Sequence, residues 1–107
     1  MFVKVYQYHI QLGKEKEYLE IQEKAREIYQ KYIFICSVYL KNNEDESKWI
    51  EMHWYENEEV YKESIRLIYG EEDIKNLWNQ FESVIDPQKS EIVEWDYSQV
   101  KDNFSVG

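Results

Sequence analysis

Cysteine is almost missing from this chain, and the single thiol, Cys36, cannot form an internal disulfide. That suits a reducing compartment. Cys36 sits in an apolar run with no base evident nearby, so it is expected to be a small buried hydrophobe rather than a nucleophile. Proline occurs once and glycine three times, and no linker, repeat or low-complexity stretch divides the 107 residues. No apolar run approaches the roughly 20 residues that span a bilayer. Met1 leads straight into a strand pattern, without the charged and apolar regions of a signal peptide. A soluble, cytoplasmic protein is expected. Basic charge is also short: 13 Lys plus Arg stand against 22 Asp plus Glu, a net charge of −9. That field repels nucleic acid and anionic membrane surfaces. No HxH or HExxH spacing is present, and no catalytic or metal motif names a reaction.

What is present is aromatic. Hydrophobic residues make up 43% and aromatics 17%, with ten Tyr and four Trp, which places the chain among globular proteins. The order of its periodicities is informative. Residues 2–12 alternate, as a strand does. From 14 to 31, Tyr18, Ile21, Ala25 and Ile28 recur in helical steps. Two strand patterns follow at 33–41 and 48–56, the first apolar enough to be covered on both faces. They are joined by a polar hairpin tip. Helical patterns cover 58–69 and 71–84, with Asn57 as an N-cap, and a last strand covers 91–97. This predicts a ferredoxin-like α+β domain over residues 1–98, with a polar tail at 99–107. Its four-stranded antiparallel sheet carries helices on one face, and the first strand lies between the third and fourth.

Alternation assigns two faces to that sheet. Tyr6, Tyr8, Ile10, Ile50, Met52, Trp54, Val93 and Trp95 are expected against the helices. The other face is expected to carry Val3, Val5, Trp49, Tyr55 and Ile92 among His9, Glu51, His53, Glu94 and Asp96. An exposed patch holding two large aromatics favours a second copy packed sheet against sheet, although its polar residues also allow a monomer.

Trp54-Tyr55-Glu56-Asn57-Glu58-Glu59-Val60-Tyr61 resembles the Trp–acid–helix junction of antibiotic-biosynthesis-monooxygenase-like domains. The opening strand, Gly13 turn and first helix resemble that family too, and the likeness spans residues 2–97. It implies a dimeric α+β barrel. In members that need neither metal nor flavin, it implies direct reaction of a deprotonated aromatic substrate with oxygen. The histidine many members carry in the helix after the tryptophan, here around Tyr61 to Ser64, is missing. The Asn, Trp and His of related haem-degrading enzymes map near Tyr6, Glu63 and Leu77 and are not kept.

Two constellations are candidates for function. Tyr6, Tyr8, Trp54, Trp78 and Trp95 can wall a pocket for a flat hydrophobic or aromatic ligand; the same rings can equally fill a core. His9, Glu51, His53, Glu94 and Asp96 can carry acid–base or metal chemistry, or simply hydrogen-bond within a dimer interface. Strand geometry keeps the two histidines apart, so neither a metal nor another cofactor is expected. The functional expectation is a monooxygenase-like small-molecule enzyme or binder, possessing no identifiable catalytic residue. The alternative is a non-catalytic dimeric interaction or regulatory module.

Overall fold

The computed structural model describes residues 1–33 and 35–103. The chain runs β1 (Phe2–His9), α1 (Glu15–Tyr29), β2 (Cys36–Lys41), β3 (Lys48–Tyr55), α2 (Glu58–Ile68), α3 (Glu72–Val84) and β4 (Val93–Ser98). The sheet order is β2-β3-β1-β4, with every neighbouring pair antiparallel. This is the ferredoxin-like α+β arrangement. Phe34, within the expected 33–41 strand, and residues 104–107 of the tail lie outside the described residues.

Local chemistry explains the boundaries. Gly13 adopts φ 88°, a left-handed turn that turns the chain after β1 and that other residues resist. Asn57 caps α2, its side chain accepting from the Val60 N–H at 2.8 Å. β1 stops at His9, and Ile10 instead bridges to Ile85 after α3. Leu12 is left exposed.

The helices bury one sheet face, and register decides which residues that face holds. Tyr6 lies opposite both Glu51 and Glu94, Lys4 opposite His53 and Asp96, and Tyr8 opposite Trp49. Directly opposed residues share a face. Even positions of β1 and β4 and odd positions of β3 therefore meet the helices. Tyr8, Ile10 and Trp49 pack there with Tyr18, Ile21, Ile28, Leu77 and Phe81, and Ile92 joins their edge. Phe2, Ile35 and Tyr55 form a second cluster.

The expected faces hold for β1 and are inverted for β3 and β4. Trp54, Trp95, Ile50, Met52 and Val93 lie on the helix-free face. Trp49, Tyr55, Ile92, Glu51, His53, Glu94 and Asp96 lie on the helix side. Alternation gives each strand two faces but not the phase between strands, and a one-residue difference exchanges them. Cys36 is also corrected: it is exposed on β2, an edge strand rather than one covered on both faces.

Candidate functional site

Between the helix-facing side of the sheet and α1, α2 and α3 lies a cavity of about 790 Å³. Tyr6 and Tyr8 rise into it from β1, Glu51, His53 and Tyr55 from β3, and Ile92 and Glu94 from the β4 side. α1 supplies Ile21, Gln22, Ala25 and Tyr29. Tyr61 and Tyr69 close one side, while Leu77, Trp78 and Phe81 of α3 close another. Trp78 and Tyr69 are both more than half exposed, so they stand where the cavity meets solvent.

The floor is a chain of hydrogen bonds centred on Glu51. Its Oε1 accepts from the Tyr8 hydroxyl at 2.6 Å and from Gln22 Nε2 at 3.2 Å. Its Oε2 pairs with His53 Nε2. His53 Nδ1 meets Ser37 Oγ at 2.6 Å, and the Tyr8 and Tyr18 hydroxyls meet at 2.5 Å. With a neutral imidazole, Nε2–H donates to Glu51 and Nδ1 accepts from Ser37, which fixes the ring. The Glu51 side chain keeps only 14% of its exposure and His53 9%. Among the described residues no Lys or Arg forms an ion pair with Glu51. It is a buried carboxylate held by neutral donors and one imidazole.

Burial, and after it the charge on Glu51, push the Tyr8 and Tyr39 hydroxyls far above the ordinary tyrosine range. Burial, neighbouring tyrosines, Glu94 and Glu51 do the same for Tyr6. Beside this floor, Lys4 is 4% exposed and ion-paired with Glu94 and, at 2.6 Å, with Asp96. Burial opposes its ammonium, but the hydrogen bonds it donates to Asp96 and Glu94 outweigh that and hold its pKa above the usual lysine value.

Of the aromatic candidates, Tyr6, Tyr8 and Trp78 line the cavity, whereas Trp54 and Trp95 lie across the sheet from it. Of the polar candidates, Glu51, His53 and Glu94 line it, and Asp96 sits beside it through Lys4. His9 stands apart, with Nδ1 3.0 Å from Ser47 Oγ and 3.8 Å from Asp45 Oδ2. The two expected constellations are thus partly merged into one. Among the described residues no three His, Cys, Asp or Glu side chains converge as metal ligands. Tyr18, Gln22, Tyr29 and Ser37 were not singled out from sequence. Tyr18 and Gln22 are four apart on one face of α1, and that spacing, read together with the correct β3 face, points Gln22 at Glu51 and Tyr18 at Tyr8.

No family model matches the sequence, and no curated protein matches it. Solved structures share its fold. A NIPSNAP domain protein from Burkholderia xenovorans superimposes with a TM-score of 0.74 at 13% identity, over 94% of this chain and 95% of the other. SnoaB, a cofactor-independent oxygenase from Streptomyces nogalater, gives 0.71 at 5% identity, over 94% of each. An antibiotic biosynthesis monooxygenase gives 0.69 at 9% identity, over 94% of this chain and all of the other. The chain has the antibiotic-biosynthesis-monooxygenase-like fold.

Proposed function

We propose that this protein binds a flat, largely apolar small molecule in the cavity between sheet and helices. One observation carries the reading: a volume of about 790 Å³ walled by aromatic rings, with a few convergent polar groups on its floor. Such dimensions and walls are typical of small-molecule sites. Fold likeness adds context and no reaction. Glu51, oriented by His53, is the group best placed to accept a proton from a bound ligand.

Binding is favoured over oxygenation. Direct reaction with oxygen starts from a deprotonated aromatic, and the burial that, with Glu51 and Glu94 behind it, keeps Tyr6 and Tyr8 protonated opposes such an anion here. An oxygen electrode with a panel of quinols and phenols is expected to read no uptake above buffer. Substrate-dependent uptake lost in Tyr6→Phe or Glu51→Gln would replace binding by catalysis.

The second part of the proposal is a homodimer through the helix-free face. Ile50, Met52, Trp54, Val93, Trp95 and Tyr97 form a largely uncharged surface there, with Val3 and Val5 buried between them. On a chain of net charge −9, it is a surface where two copies meet with little direct like-charge contact.

A further inference from the structure

The cavity's walls and floor share one electrostatic character. Tyr6, Tyr29, Tyr55, Tyr61, Tyr69 and Trp78 surround it, and aromatic faces carry partial negative charge that attracts cations. Glu51 adds a carboxylate with no ammonium or guanidinium partner among the described residues. The protein seats a cation of its own against two of these rings: Lys4 Nζ lies 5.2 Å from the Tyr61 centroid and 5.6 Å from that of Tyr6. Lys4 is matched by Glu94 and Asp96, so it does not neutralise Glu51.

We propose that the ligand is an organic ammonium ion with a flat apolar body, its charged nitrogen held against Glu51 inside the tyrosine cage. This deepens the small-molecule reading above and rests on it. An N–H⁺ directed at Glu51 gains a charge-assisted hydrogen bond to a mostly buried carboxylate. A quaternary nitrogen uses the ring faces alone. The other charged groups around the cavity leave room for this charge. Lys75 stands at the rim with Glu72 3.8 Å away. Arg26 lines a smaller adjoining pocket that also reaches Tyr39, His53 and Glu51, but it forms no ion pair with Glu51 among the described residues. His53 is the hydrogen-bond partner of Glu51 Oε2 and leaves Oε1 facing Tyr8 and Gln22. A neutral ligand gains no charge pairing with the buried carboxylate, and an anionic one would oppose it directly.

Calorimetric titration with three probes of one shape tests the proposal: 2-naphthylmethylammonium, 2-naphthylmethanol and 2-naphthoate. The ammonium is expected to bind about tenfold tighter than the alcohol, and the carboxylate most weakly. In Glu51→Gln the preference for the ammonium over the alcohol should fall severalfold, to what the rings alone supply, while the alcohol still binds. Should that variant misfold, Tyr69→Leu and Trp78→Leu at the exposed mouth each test the cage, and each should weaken the ammonium more than the alcohol. Equal binding of ammonium and alcohol, or preference for the carboxylate, overturns the cationic assignment and leaves the small-molecule site standing. Failure of all three probes to bind overturns both.

Discussion

Tyr8, Tyr18 and Tyr55 are each at most 2% exposed, and burial first of all pushes their hydroxyls above the ordinary range. Tyr6, Tyr29 and Tyr39 are raised by the same leading cause. The linkage has a definite sign. Above the ordinary tyrosine pKa near 10, the unfolded chain loses protons that the folded chain keeps, so stability falls as pH rises. Each such tyrosine removes about 1.4 kcal/mol per pH unit. Lys4, whose pKa is also raised in the fold, acts in the same direction above its own unfolded value of 10.5. A domain stable by roughly 5–15 kcal/mol should therefore unfold cooperatively about one to two pH units above 10. Tyrosinate absorbance and circular dichroism should change together. Gradual ionisation of all ten tyrosines in a still-folded protein would refute this account of the buried hydroxyls.

At the scale of elements, β3 carries the sharpest contrast, because adjacent residues enter different worlds. Trp49 is 4% exposed in the helix-side core, while Trp54 lies on the helix-free face. Trp49→Glu places an unpaired charge in packed aromatics and should cost several kcal/mol, visible as loss of the folded melting transition. Trp54→Glu should leave the fold intact and convert a dimer to monomer. Light scattering reads the difference, with the parent at twice the 13.2 kDa chain mass. A parent protein already at 13.2 kDa would sink the dimer. Element order was legible in sequence, since the observed strands and helices fall within about two to four residues of the expected bounds. The faces of β3 and β4 were not, for a physical reason. Hydrophobicity marks Ile50, Met52 and Trp54 as a core set, yet the core side holds Glu51 and His53. Burial of those two is supported by hydrogen bonds from Tyr8, Gln22 and Ser37, which depend on register and leave no trace in a single-strand pattern. The candidate site was legible as far as β1 and α3 set it: Tyr6, Tyr8 and Trp78 were placed in its walls, while the polar neighbours of β1 were placed across the sheet from them.

The whole molecule combines a net charge of −9 with one largely uncharged face. Two copies meeting there still repel through their remaining surfaces, and salt screens that repulsion; the Debye length falls from roughly 30 Å at 0.01 M to about 3 Å at 1 M. The dimer dissociation constant is expected to tighten severalfold between low and high salt, as measured by sedimentation. A dimer that loosens with salt would instead be held by ion pairs, contrary to the composition of this face.

β1 sits at the centre of the sheet, and the Lys4 ion pairs reach partners 90 and 92 residues further along the chain. Closing so long a loop costs conformational entropy before any contact compensates it. Until β4 arrives, Lys4 has no carboxylate from Glu94 or Asp96, and one edge of β1 has no hydrogen-bonding neighbour. The last strand therefore acts as a latch on folding: a chain ending before Val93 would expose an unpaired apolar strand edge beside a lysine that prefers water. Such a species invites pairing with other chains rather than slow, orderly completion of the sheet.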